Sequence, residues 1–303
     1  MNKILKRLIT TALFVVMFTM AFKSTTPVQA ATSTVTITYQ ANGGTVYATG
    51  PEGTKQTVKK DTNVRLAPPS IARNGYILLG FDKNKNAPFP SYLVHRQYKF
   101  SSNVTLYAIW VKRAEIYDRY GDSFSYGVDM RKAAATLDLF SRKNWIGQST
   151  WTKMTRVNQL ATQLAGMYGI KNMTRVAKEL PPGKDPKTVM GCYRYSNNTL
   201  YLNPKLYEDL EFFIDGKWVL GSHLLAKTIA HELRHAYQYQ RAVNPSCRTD
   251  FLYGYNMEIY GYGNYISTKT DASGNIINYN EYQDQLIEAE AFGIEKLLDT
   301  YLK

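Results

Sequence analysis

Residues Gly221 to Arg241 read GSHLLAKTIAHELRHAYQYQR, with His231-Glu232-Leu233-Arg234-His235 at their centre. At about 100° per residue on a helix, Leu225, Ile229, Leu233 and Ala236 share one stripe. His231 and His235 fall nearly opposite, and Glu232 lies on the flank between. Gly221-Ser222 offers an N-cap start. The pattern predicts a helix packed on its back and open at its front. Two imidazoles four residues apart stand about one turn apart on a single face, so one cation can take both. Zinc suits that arrangement, because neutral imidazole nitrogens ligate it at about 2.0–2.1 Å and a reactive site keeps one position open for water. Glu232 is placed to act as general base.

Two histidines leave a third protein ligand to find. Downstream, Tyr282-Gln-Asp-Gln-Leu-Ile-Glu288-Ala-Glu290-Ala-Phe-Gly runs into Ile294, Leu297, Leu298 and Tyr301, an amphipathic helix with carboxylates near its start. On its wheel Glu290 lies amid Leu286, Ile287, Ile294 and Leu297, while Glu288 lies with Glu295 and Asp299. A carboxylate on an apolar stripe must be paired or metal-bound. Glu290 is therefore either a ligand or the acceptor that orients a ligating histidine. Asp250, in Thr249-Asp250-Phe-Leu-Tyr253-Gly254, is a further candidate.

HELRHAYQ followed by Glu288-Ala-Glu290-Ala291 resembles the gluzincins, the thermolysin-like clan of HExxH peptidases, over roughly the last third of the chain. The resemblance implies a zincin-like α+β fold, Zn2+ as cofactor, His231, His235 and Glu288 as its ligands, and Glu232 as the catalytic base. That family often carries an acid four residues after its ligand, where this chain has Phe292. Asp250-Phe-Leu-Tyr253-Gly254 resembles the aspzincin D-x-x-Y-G, without the Gly-Thr that precedes it there. The metzincin extension is excluded by Gln238 and Arg241. Ala289-Glu290-Ala-Phe is similar to a fragment of lethal-factor-type toxin domains, but that register puts the ligand position on Leu286, which cannot bind zinc.

Between these motifs, Gly191 to Tyr195 and Thr199 to Asn203 alternate around Ser196-Asn197-Asn198, a predicted hairpin whose edge is suited to extended substrate. Ser149 caps a predicted helix with Met154, Val157, Leu160, Ala161, Leu164 and Tyr168 on its core stripe. Asp129 to Phe140 has a helical composition. The tyrosines from Tyr253 to Tyr265 include candidates for the phenol that such a site needs as an oxyanion donor.

The N-terminal third has another texture. Val35, Ile37 and Tyr39 alternate with polar residues, and Ala41-Asn42-Gly43-Gly44 supplies turn chemistry. ITYQANGGTV, RNGYILLGF and NVTLYAIW resemble one copy of the Listeria-Bacteroides (internalin B-type) repeat. This resemblance implies a small β-grasp-like module on a bacterial surface protein; Phe81-Asp82 stands where the family commonly has tryptophan. The expected organisation is a signal peptide (1–30), the β-grasp-like repeat (31–112) and an α+β metallopeptidase domain (113–303).

Lys3, Lys6 and Arg7, the apolar run from Leu8 to Phe22 and Val28-Gln29-Ala30 form a cleavable export signal. The run is short for the roughly 20 residues of a membrane span, so no transmembrane span is expected after cleavage. Its removal leaves 33 basic against 24 acidic residues. The excess favours an anionic neighbour, a wall polymer or host surface. Nothing resembles a nucleic-acid-binding motif. Cys192 and Cys247 would both reach an oxidising compartment, where they could pair or stay free. The sequence thus predicts a secreted or wall-associated enzyme of a Gram-positive type, cleaving a protein or peptide substrate. The alternatives are a non-enzymatic surface-binding protein and an exported toxin-like peptidase acting on a host protein.

Overall fold

The computed structural model describes residues 33–48, 53–94, 96–117, 128–173, 175–214, 216–260, 265–273 and 276–302. The export signal lies outside them. The chain is α+β, a strand-rich N-terminal region followed by a largely helical one.

Strands β1 (Thr34–Gln40), β2 (Thr45–Ala48), β3 (Lys55–Lys59), β4 (Asn63–Arg65), β5 (Ser70–Ala72), β6 (Tyr76–Asp82), β7 (Gln97–Lys99) and β8 (Val104–Lys112) build the first region. A mixed sheet of order β3-β1-β8-β6 has β1 and β8 parallel at its centre, and β2-β5 and β4-β7 form two small ribbons. The alternation in β1 buries Val35, Ile37 and Tyr39 against Leu66, Phe81 and Leu106. Phe81 is fully buried. Asn42, at φ 47°, turns the chain after β1 and donates to the carbonyls of Lys85 and Ala108, both at 2.8 Å.

The second region contains α1 (Ala114–Tyr117), α2 (Ala134–Asp138), α3 (Arg142–Trp145), α4 (Thr150–Tyr168), β9 (Arg175–Ala177), β10 (Gly191–Arg194), β11 (Thr199–Leu202), β12 (Glu211–Ile214), β13 (Lys217–Leu220), α5 (Gly221–Val243), α6 (Arg248–Asn256), α7 (Tyr279–Asp284) and α8 (Leu286–Leu298). Ser149 caps α4 by accepting the N–H of Thr152, and the expected stripe from Val157 to Tyr168 is buried. Residues 129–140 form a 3-10 turn followed by α2 rather than one helix. The predicted hairpin forms with Cys192 opposite Tyr201, and β9 pairs in parallel with β11, so β10 is an edge strand.

Helix α5 spans the whole HELRH stretch. Leu225, Ile229 and Leu233 are fully buried, as their stripe requires. Its start differs from expectation: Leu220 occupies the N-cap, and the buried Ser222 hydroxyl donates instead to the Phe140 carbonyl at 2.5 Å. The Gly221 amide at the start of the helix donates to the Leu210 carbonyl at 2.8 Å. Along its other side α5 meets β10, where a Cβ on Gly191 would come within 2.6 Å of the Thr228 methyl. Glycine therefore lets the edge strand lie directly on the helix.

The two regions share an apolar cluster in which Leu79, Val111 and Ile116 pack with Phe251, Leu252 and Leu286. Phe89 stacks on Phe251 with ring centroids 5.1 Å apart, and Arg248 donates to the Pro88 carbonyl at 2.8 Å while pairing with Glu115. No helix among the described residues is long and apolar enough to cross a membrane.

Candidate metal centre

His231 and His235 project from α5 towards α8, with only 10% and 11% of their side chains exposed. The face expected to be open is therefore largely roofed. Glu288, in the first turn of α8, meets both rings. The two Nε2 atoms are 3.0 Å apart, and each has a Glu288 carboxylate oxygen near it, at 3.3 Å for His231 and 3.4 Å for His235.

The outer nitrogens fix the tautomers. His231 Nδ1 lies 2.6 Å from Glu295 Oε1, and His235 Nδ1 lies 2.9 Å from Gln238 Oε1. A carboxylate and an amide oxygen only accept, so each Nδ1 carries the proton and each Nε2 of a neutral ring turns its lone pair inward. Two lone pairs at that separation repel unless a cation or proton lies between them. Glu288 Oε1 accepts the Tyr265 hydroxyl at 2.8 Å, whereas buried Oε2 has no hydrogen-bond partner among the described residues. The donor set is two imidazole nitrogens and one carboxylate oxygen, all within 4.8 Å of one another. Ligands about 2.0–2.1 Å from a tetrahedral ion stand roughly 3.3 Å from each other, which is close to the spacing found here.

Electrostatics express the same demand for a cation. Burial would lower the His231 and His235 pKa values, but facing carboxylates raise both, led by Glu288 and Glu295 at His231 and by Glu288 at His235. Burial would raise the Glu288 carboxyl, but the imidazoles of His235 and His231 hold it well below the usual range. The pocket favours positive charge at its centre, whether protons or a metal supply it.

Glu290 lies elsewhere. Its buried carboxylate accepts from Arg234 at 3.0 Å, from Gln238 at 3.0 Å and from the Tyr253 hydroxyl at 2.9 Å. The Gln238 amide oxygen also accepts the His235 Nδ1–H, so Glu290 anchors that ring at one remove. The apolar stripe predicted a paired carboxylate, and Arg234, from within HELRH, supplies the pair. Asp250 is held apart from the histidines by Arg241 and by the Ser246 and Cys247 amides, inside a capping box at the start of α6. Leu286 is buried in the core. The acceptor at His231 Nδ1 is Glu295, three residues beyond Phe292, whose ring meets His231 edge-on at 4.9 Å.

Glu232 is half-buried at the side facing β10, where Oε2 accepts the Tyr193 amide at 3.0 Å. Its charge acts on His235, Tyr195 and Tyr265. Of the tyrosine stretch, Tyr253 and Tyr260 are spent on Glu290 and the Ala242 carbonyl. Residues 261–264 lie outside the described ones. Tyr265 reaches Glu288, with Tyr282 edge-on to it at 6.3 Å, and burial followed by the Glu288 charge raises both phenols. Tyr195 stacks on Tyr239 at 3.9 Å, and its phenol is raised by burial and by Glu232.

Sequence reading did not single out Gln238, Tyr195 or Tyr282, and it gave Glu295 no role. Glu295 lies two turns from Glu288 on one helix face, and Gln238 follows His235 by three residues; both spacings were signals in reach. The cysteines are unpaired. Cys192 lies on β10 and Cys247 at the start of α6, where Arg241 Nη2 is 3.9 Å from its sulfur.

Residues 36–109 match the Listeria-Bacteroides repeat domain. The Listeria-Bacteroides repeat is typical of bacterial surface proteins, and the match covers β1 through most of β8. No curated protein and no solved structure matches the chain.

Proposed function

We propose that the chain is an exported, wall-associated zinc metallopeptidase in which a β-grasp-like repeat precedes a zincin-like domain of gluzincin type. The observation that carries this reading is the inward pair of Nε2 lone pairs beside Glu288 Oε2, which has no hydrogen-bond partner among the described residues, the three donors being spaced about as a tetrahedral ion requires. His231, His235 and Glu288 fit Zn2+ and would hold it. An ion bound there would supply Lewis-acid polarisation of a carbonyl and a water of pKa about 7.

The chain's own groups do the rest. Glu232 takes the water proton at its carboxylate and delivers it to the leaving amine. Glu295 and the Gln238-Glu290 pair keep both rings in the ligating tautomer. Among the described residues, Tyr265, Tyr282 and Tyr195 are the candidate phenols for the oxyanion donor, each feeling the charge of Glu288. Edge strand β10 runs beside Glu232 and offers backbone pairing to an extended protein or peptide substrate. The central parallel pair β1 and β8 supports the β-grasp-like reading of the repeat.

Glu232→Gln tests the assignment. The variant should retain zinc, measured by elemental analysis, and lose cleavage of a broad peptide library by at least about a hundredfold, the usual scale of a lost general base. A variant that still cleaves at the native rate would sink the role given to Glu232.

A further inference from the structure

The positive charge of this protein is unevenly placed. Residues 31–112 contain ten Lys and Arg against three Asp and Glu, whereas residues 113–303 contain 23 against 21. Most of the excess outside the export signal, seven of nine charges, therefore belongs to the repeat. Two concavities open on that region, of roughly 290 and 330 Å³. They meet along Asn103, Val104 and Thr105. Lys83 and Lys99 line one, and Lys55 lines the other. All three lysines are exposed, and none is ion-paired among the described residues. The remaining wall is rich in hydroxyl and amide groups, including Thr36, Thr38, Ser101 and Ser102. Asn103 is fixed because its Oδ1 accepts the Thr36 amide at 2.8 Å.

We infer that this double groove binds a chain-like polyanion with phosphodiester charges and hydroxyl-bearing spacers, the chemistry of a polyol-phosphate wall polymer. A ligand engaging all three lysines must pass over both concavities, which selects a polymer over a single phosphate. Unpaired ammonium groups take phosphates as point charges, and the serine, threonine and asparagine groups take the spacer hydroxyls. The groove does not offer the stacking faces on which single-stranded nucleic acid is read. Two rings line it: Phe100 is buried, and Tyr92 packs against Tyr98 and Phe100, with centroids 5.1 and 5.7 Å away, its face already overlain by Lys83 Nζ at 6.0 Å.

The test uses the full mature chain and does not depend on the metal centre. Binding is titrated with poly(glycerol phosphate), a single-stranded DNA of similar charge and phosphatidylglycerol vesicles, each at several salt concentrations. The wild type should bind poly(glycerol phosphate) most tightly. Lys55→Gln/Lys83→Gln/Lys99→Gln should weaken that binding by on the order of tenfold to a hundredfold at low salt and flatten the log K against log salt slope by about 2. Lys171→Gln/Lys187→Gln/Lys205→Gln, with the same change in net charge on exposed lysines of the second region, should leave both nearly unchanged. Equal losses in the two triple variants, an unaffected groove variant, or DNA or vesicles bound as tightly as the polymer would each overturn the inference.

Discussion

Replacing Glu288 with alanine should remove the thermal response of the protein to zinc. The carboxylate supplies the only charged donor of the set, and its two oxygens face the two Nε2 atoms at 3.3 and 3.4 Å. At zinc a hundredfold above its dissociation constant, binding to the native state alone adds about 2.7 kcal/mol. In a unit of this size each kcal/mol moves the midpoint by about 2–4 °C, so the wild type should gain roughly 5–11 °C. Groups that merely orient a ligand are worth about 10–100-fold in affinity, so loss of the ligand itself should cost at least a hundredfold. The same zinc then sits near the dissociation constant and adds only about 0.4 kcal/mol, or roughly 1 °C. The assay is circular dichroism melting of chelator-stripped protein with and without zinc, read as the shift within each variant so that changes in apo stability cancel. Asp250→Asn should keep the full shift. A wild type without a shift, or a Glu288→Ala shift equal to that of the wild type, would refute the reasoning.

Other outcomes follow from the surroundings of the site. Glu295→Gln should lower zinc affinity by about 10–100-fold through loss of the carboxylate acceptor at His231 Nδ1, measurable by competition with a chromophoric chelator. At Asp250, burial would raise the pKa, but Arg241 and the Ser246 groups hold it below the ordinary carboxylate value. Its stabilisation is thus complete above the unfolded value of about 3.9 and is lost as pH falls through the lower folded value. Asp250→Asn should cost about 1–2 kcal/mol near pH 7 and remove that part of the acid limb in a denaturant series against pH. Phe251→Ala should cost about 3–5 kcal/mol and turn a single thermal transition into two, because Phe251 joins the repeat to the helical region.

Much of this arrangement was legible because periodicity reports burial. The alternation at Val35, Ile37 and Tyr39 and the stripe at Leu225, Ile229 and Leu233 placed a strand and a helix face without further information. Glu288 against Glu290 was harder, since the wheel of α8 sees only one helix. Packed against both α5 and α6, α8 buries two faces, so both carboxylates are hidden and burial no longer tells them apart. What separates them is the identity of the partners, two imidazoles for one and Arg234, Gln238 and Tyr253 for the other. Those partners come from positions 37 to 57 residues earlier, beyond any local pattern. Ser222 misled for a related reason: its hydroxyl is satisfied by Phe140, 82 residues away, rather than by its own helix.

The apolar cluster joining Leu79 and Val111 to Phe251 and Leu286 bears on how this protein can be cut apart. Composition places a border near residue 112, but cutting there would leave each fragment with a hydrophobic wound and strip α6 of its backing. Helix α6 in turn holds α8, through Tyr253 on Glu290 and through Asn256, whose side chain accepts the Ile287 amide at 3.2 Å. A fragment starting at residue 113 is therefore expected to aggregate or to loosen the turn that carries Glu288. Expression of the helical region calls for the repeat as its folding partner.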